Sequence, residues 1–240
     1  MSKINYLLGY KDLKIYQDED MFRFSIDSVL LPNFVTINSK CRNILDIGTG
    51  NAVIPLILTT KTNAKIDGVE IQKEVFDLGV QSVQLNSLEN QIHLYNHNIL
   101  DFYKTIESDC YDTITCNPPY FKVTDNSILN DTDYKTIARH EVKLNLNDVM
   151  MIAKKLLKNN GNIAIVHRTE RLIDILETMR KNNIEPKKIQ FVYSKQNDNS
   201  NIILVEGVKN GNPGIKIMPP LYIYDETGNY SEKILKYFEN

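Results

Sequence analysis

Cysteine is scarce in this sequence: Cys41, Cys110 and Cys116 are the whole complement. An odd number with no CxxC pair and no cysteine/histidine cluster at ligand spacing excludes a disulfide framework and gives no metal site. Three reduced, mostly buried thiols are expected. Long apolar runs are missing too. No stretch approaches the ~20 apolar residues of a membrane helix. Residues 1–14, MSKINYLLGYKDLK, lack a continuous apolar core with a small-residue cleavage site behind it, which excludes a secretory signal. A cytoplasmic protein with no membrane attachment is expected. Charge of one sign is absent as well: the net charge is -2, so nothing draws nucleic acid to the whole surface. Residues 1–120 carry 10 Lys+Arg against 15 Asp+Glu and residues 121–240 carry 18 against 15. A phosphate-binding surface would be a local patch built with the second half. There is no internal repeat and no low-complexity tract.

What is present is ordinary for a globular chain, 42% hydrophobic and 24% charged, which removes disordered and fibrous classes. A length of 240 residues suits one α/β domain with appendages. From residue 43 on, β-branched runs alternate with helical patterns. Strands are expected at 43–48, 65–70, 92–98, 111–117 and 162–168, and helices around the stripes Phe76/Val80/Val83, Val149/Ala153/Leu156 and Leu172/Leu176/Met179. KNNG at 158–161 reads as a helix end with Gly161 as its left-handed cap. The alternation requires crossovers and a mostly parallel sheet. Two further strands, 188–194 and 201–209, are joined by only KQNDNS, a hairpin loop that brings in an antiparallel strand at the C-terminal edge. The division expected is a single domain 1–240: an N-terminal hairpin and helix over 1–42, a core over 43–209, and a tail over 210–240 ending in one short helix.

In such a sheet, ligands bind beyond the carboxyl ends of the strands. The first core strand runs into DIGTGNAVIPL, 46–56. Gly48 and Gly50 permit a tight turn and close approach to a ligand, and a helix beginning near Asn51 points its free amides at the same space. Val53 stands where a dinucleotide fingerprint needs its third glycine, and Asp46 would repel a pyrophosphate. A cationic ligand suits the site better. Glu70, at the end of the next strand, sits where a carboxylate accepts from both ribose hydroxyls, followed by Ile71. Asn98, at the end of the third, could meet an adenine edge with Ile99 beside it. Taken singly, each of these polar residues is equally well a surface or capping residue.

Together they resemble a class I S-adenosylmethionine methyltransferase, which implies a Rossmann-like fold with a seven-stranded sheet and helices on both faces. CNPPY, 116–120, resembles the [Asp/Asn/Ser]-Pro-Pro-[Tyr/Phe/Trp] motif of enzymes that methylate planar amino or amide nitrogens. An exocyclic amino group is a poor nucleophile because its lone pair is delocalised. Acceptance of its hydrogens by the Asn117 oxygen and the Pro118 carbonyl would aim the lone pair at the methyl donor. Pro118 and Pro119 fix the backbone that carries these acceptors. Tyr120 offers a face on which the target stacks, worth ~1–3 kcal/mol, and Phe121 a second wall. No metal is called for.

Enzymes with this tetrapeptide act on adenine of DNA, on adenine or guanine of RNA, or on release-factor glutamines. A DNA enzyme needs a recognition domain and the glutamine enzymes a long helical domain before the glycine motif; this chain has room for neither. FRFSIDSVLL (22–31), DIGTGNAVIPL, GVEIQ, CNPPYF, ARHE (138–141) and GNIAIVHRTERL (161–172) are similar to the bacterial family of tRNA(Val) adenine-37 methyltransferases over most of the chain. That resemblance implies N6-methylation of a tRNA adenine, cofactor roles for Asp46, Gly48, Gly50, Glu70 and Asn98, a catalytic role for Asn117, and a place for Asp27 near the cofactor or catalytic loop with Arg23 nearby. On its own residues, SIDSVLL makes Asp27 equally a helix N-cap. His140 is read as a helix-surface or RNA-facing residue. Lys122, Lys135, Arg139, Lys143, Arg168 and Arg171 are candidates for phosphate contacts, and no obligatory protein partner is implied. The competing readings are guanine of ribosomal RNA, a protein glutamine, an inert RNA-binding protein of this fold, and a nicotinamide reductase.

Overall fold

A computed structural model describes residues 2–7, 10, 12–18, 25–118 and 144–238. Strands of the core are apolar on both faces, as strands covered by crossover helices must be. Ile44 and Leu45, Ala164 and Ile165, and Leu204 and Val205 alternate between two buried clusters, one on each side of the sheet.

The elements run in this order. A hairpin of β1 (Ser2–Tyr6) and β2 (Lys14–Asp18) precedes α1 (Asp27–Phe34). Then come β3 (Asn43–Ile47), α2 (Val53–Thr59), β4 (Lys65–Glu70), α3 (Lys73–Leu85), β5 (Ile92–Asn96), α4 (Ile99–Thr105) and β6 (Tyr111–Cys116). After residue 144 follow α5 (Leu146–Leu156), β7 (Leu157–Arg168), α6 (Leu172–Lys181), β8 (Ile184–Tyr193) and β9 (Ser200–Lys209). The tail supplies two short strands, β10 (Lys216–Ile217) and β11 (Leu221–Tyr222), and α7 (Glu232–Phe238).

The sheet order is β10-β8-β9-β7-β6-β3-β4-β5, with β11 also on β8. Seven long strands make the sheet and the two short ones extend it. All pairings are parallel except those of β9, which is antiparallel to both neighbours. The antiparallel strand expected toward the C-terminal edge is therefore slotted between β7 and β8, with β8 outside it. The order reverses at β3 and β6, whose carboxyl ends open the crevice that a ligand can enter.

Two local expectations shift. The left-handed residue before the inner part of β7 is Asn160, φ 63°, not Gly161; a Cβ at Gly161 would lie 3.0 Å from the Asp112 carbonyl oxygen, so glycine is kept there for space. The buried face of α3 is Leu78, Gly79, Ser82 and Val83, so of the expected stripe only Val83 faces inward. The reason is the partner: α3 packs on backbone. Ser82 Oγ accepts from Tyr16 N at 3.0 Å, and Asn86 exchanges two hydrogen bonds with the backbone of Lys14. The hairpin expected within 1–42 is built from 2–18.

A buried polar network fastens the segment after α1 to the sheet. Glu206 Oε2 accepts from Thr36 N at 2.6 Å and lies 3.4 Å from Lys188 Nζ. That ammonium also donates to Phe34 O and Thr36 Oγ1, and Asn162 Nδ2 donates to Thr36 O. Removing Glu206 leaves the largely buried Lys188 ammonium without its counter-charge. Glu206→Ala is expected to cost about 3 kcal/mol, read from the urea midpoint. A change below about 1 kcal/mol would place this pair among ordinary surface ion pairs.

Candidate functional site

The chain leaves β3 through a turn that folds back over the end of β4. Gly48 N and Thr49 N both donate to Val69 O, at 2.9 and 3.1 Å. Gly48 and Gly50 have φ of 68° and 59°, values that favour glycine. A Cβ at either would meet nothing within 4 Å, so the turn faces open space. Ala52, at φ 69°, is the left-handed N-cap of α2. The helix thus begins at Val53, two residues later than the sequence suggested. Asn51 serves the hairpin instead, its Nδ2 donating to Tyr16 O at 3.1 Å and so pinning β2 to the turn.

Glu70 joins strand ends. Its carboxylate accepts from Gly50 N at 3.0 Å and Gln72 N at 2.9 Å. Its carbonyl accepts from His97 N and Asn96 Nδ2. The glycine turn, β4 and the end of β5 are held as one unit. Ile71 beside it is 44% exposed, a lone apolar side chain at the rim, whereas Ile99 is buried. Asn98 is the N-cap of α4: its Oδ1 accepts from Leu100 N at 2.9 Å. Its Nδ2 also donates to Asp101 Oδ2 at 3.5 Å, which leaves one amide hydrogen and one oxygen lone pair for a ligand.

Asp46 is fully buried. Oδ1 accepts from Thr115 Oγ1 at 2.6 Å, and among the described residues Oδ2 has no hydrogen-bond partner, nor has the buried Thr49 Oγ1. Burial pushes the carboxyl from 3.8 up to about 7, the Thr115 hydroxyl and the nearby Thr49 hydroxyl opposing and the Glu70 charge adding to the rise. A buried carboxylate oxygen with no donor is costly, and a cation or a donor entering the open side of the turn relieves it. The residues present fit the cationic cofactor expected here.

Asn117 follows β6 on the same face. Thr115 pairs with Asp46 and Cys116 with Ile47, the last pair of the parallel register, so Asn117 leaves the sheet where β3 enters the glycine turn. Its Nδ2 donates to Ser28 Oγ at 3.1 Å. Asp27, 5% exposed, lies in the first turn of α1. The N-cap is Ile26, with no side-chain cap bond, so Asp27 is not the cap. Arg168 is exposed at the end of β7, and Arg171 is paired with Asp174 at 2.5 Å.

The structure brings together Asp46, Gly48, Gly50, Asn51, Glu70, Ile71 and Asn117, with Pro118 following Asn117 and Asn98 one strand further out. Pro119, Tyr120, Phe121, Lys122, Lys135, Arg139, His140, Lys143 and Arg23 lie outside the described residues. Reading the sequence missed Ser28, Gly68 and Gly79. A Cβ at Gly68 would lie 2.6 Å from Leu94 Cδ2 and 2.8 Å from Thr49 Oγ1, and one at Gly79 3.0 Å from Gly50 O. The signal available was small residues where helix and strand patterns want bulk.

The sign of the Asp46 effect sets a test. The unfolded chain loses this proton near 3.8, the folded one only near 7. Stability from this group is therefore full below 3.8 and falls as pH rises to about 7. Asp46→Asn removes that loss. The variant's melting temperature minus the wild type's, measured without cofactor, is expected to climb from pH 4 to 7 and then level off. A difference independent of pH would mean that Asp46 is ionised in the folded protein at pH 5.

Comparison with known proteins places this geometry. The model of the methyltransferase small domain matches residues 23–190. A Parabacteroides distasonis protein named tRNA1(Val) (adenine(37)-N6)-methyltransferase is 29% identical over 179 residues, 75% of this chain and 73% of that protein. Among solved structures, a predicted O-methyltransferase, Atu636 from Agrobacterium tumefaciens, superposes with a TM-score of 0.71 at 14% identity, covering 89% of this chain and 95% of that one. Geranyl diphosphate C-methyltransferase from Streptomyces coelicolor, solved with S-adenosyl-L-homocysteine, gives 0.56 at 10% identity over 76% and 79%. At such identities the structures establish the class I methyltransferase fold alone. The family match covers most of the chain: it belongs to the methyltransferase small-domain family.

Proposed function

We propose that the protein transfers a methyl group from S-adenosylmethionine to the exocyclic N6 of an adenine in tRNA, adenine 37 of a valine tRNA by the name its relatives carry. One observation carries the reading: Asn117 leaves β6 beside a glycine turn whose buried Asp46 has a carboxylate oxygen with no hydrogen-bond partner among the described residues. When bound, S-adenosylmethionine supplies a methyl group activated by an adjacent sulfonium.

The protein's own residues do the rest. Asp46 and the open faces of Gly48 and Gly50 receive the cationic end. Glu70, anchored by two amides, keeps lone pairs for ribose hydroxyls, since each carboxylate oxygen can accept more than once. Ile71 gives an apolar surface for the adenine ring of the cofactor, and Asn98 offers its remaining amide hydrogen to that ring's edge. Asn117 Oδ1 and Pro118 O accept the two hydrogens of the target amino group and hold its lone pair in line. Pro119 and Tyr120 complete the motif, as rigid support and stacking face. Arg168 contacts RNA phosphate, with Arg23, Phe121, Lys122, Arg139, His140 and Arg171 as further contacts. A base already unpaired in an anticodon loop enters such a pocket at little cost. The reading places the work in the cytoplasm, with no protein partner required.

Labelled S-adenosylmethionine offered to tRNA lacking the modification is expected to give N6-methyladenosine on nucleoside mass spectrometry. Label found only in protein, or only in ribosomal RNA, would sink the tRNA reading. Asn117→Ala is expected to lower transfer about 10²- to 10³-fold while calorimetric cofactor affinity is kept. Unchanged turnover would remove Asn117 from the chemistry. Arg168→Glu should weaken tRNA binding and flatten its dependence on salt by about one unit of slope; an unaltered slope would move the phosphate contact elsewhere.

A further inference from the structure

We propose that Ser28 is a positioning residue that sets which way the Asn117 amide faces; the proposal rests on the role given to Asn117 above. A side-chain amide has one accepting and one donating end of nearly equal shape, and its terminal torsion is broad and two-fold. Turned one way, Asn117 presents oxygen to an amino group. Turned the other way, it presents N–H to N–H, and the substrate amino group loses an acceptor. Choice between the two must come from a neighbour.

Ser28 is that neighbour. Asn117 Nδ2 donates to Ser28 Oγ at 3.1 Å across 89 residues of sequence, which ties the nitrogen branch to α1 and turns the oxygen branch to the other side. A serine supports a helix start when it stands at the N-cap. Here the N-cap is Ile26 with no side-chain cap bond, so the helix start makes no use of the hydroxyl. The support behind Ser28 is rigid. Val29, Leu30 and Leu31 are fully buried, Ser28 N donates to Ser25 O at 3.1 Å, and the chain just beyond α1 is fastened through Thr36 to Glu206. Serine also has one short torsion to order, so little entropy is lost in holding the amide. The apolar pair of SIDSVLL thus fixes the helix, and the serine before it passes that fixity to the catalytic strand end.

Ser28→Ala is expected to lower kcat about 10- to 100-fold with an unchanged KM for tRNA and unchanged affinity for S-adenosylmethionine, and Ser28→Thr to recover most of the loss. In an Asn117→Ala background, Ser28→Ala should cost nothing further, since its effect runs through the amide. A second arm does not depend on turnover. The Asn117 side-chain NH₂ resonances, assigned by their loss in Asn117→Ala, should shift and exchange faster with water in Ser28→Ala but not in Ser28→Thr. Wild-type kcat in Ser28→Ala with an inactive Asn117→Ala would overturn the proposal and leave the functional reading intact. Full activity in Asn117→Ala would overturn that reading instead, and resonances unmoved by Ser28→Ala would overturn the contact itself.

Discussion

The glycine turn could not hold its shape without the hydrogen bonds it makes to β4. Three successive amides, of Gly48, Thr49 and Gly50, are taken up by the Val69 carbonyl and the Glu70 carboxylate. Left-handed φ values are cheap for glycine but select no single conformation; it is these acceptors that do so. Once the turn is fixed, Asp46 is sealed beneath it, Gly79 can bring α3 against the Gly50 carbonyl, and Asn51 reaches the hairpin strand β2. Cofactor pocket, helix packing and N-terminal hairpin share one small set of backbone contacts.

The pocket that results is unfavourable by itself. A fully buried carboxyl with one oxygen lacking a donor among the described residues is poorly solvated in either protonation state. Proteins tolerate such groups where a ligand completes them. Glu70, nearly buried at the next strand end, adds a second carboxylate to the crevice. That suits a positively charged small molecule and disfavours a pyrophosphate. RNA has to be drawn by residues further out.

Much of this was legible in the sequence, and the failures have a common cause. Strand positions followed from β-branched runs because these strands are apolar on both faces. The glycine turn, Glu70 and Asn117 followed from residue types at strand ends. α4, seven residues long, is too short to show a stripe. α3 misled because it packs on backbone through Gly79 and Ser82, contacts that apolar periodicity does not record. Ser28 was hidden for another reason: its partner lies 89 residues away, and a serine at a helix start already has a local explanation. The capping oxygen of Asn98 shows the reverse, a local role at a residue picked for a distant one.

The slotting of β9 between β7 and β8 bears on how the protein comes to be folded. β7 is made first, then β8, and only then the strand that joins them. Until residues 200–209 are present, the outer edge of β7, with its run NIAIVH, has no hydrogen-bonding partner. An unpaired apolar edge of this kind invites association between chains. β8 meanwhile belongs to the sheet but cannot reach it, because its place is reserved beyond a strand not yet synthesised. The pairing of Asn162 with Val208 closes 46 residues of chain at a stroke, a non-local contact of the sort that slows folding. The core is therefore completed from its C-terminal side, and a chain stopped before residue 209 would carry Asp46, the glycine turn, Glu70 and Asn117 on a sheet that is still open.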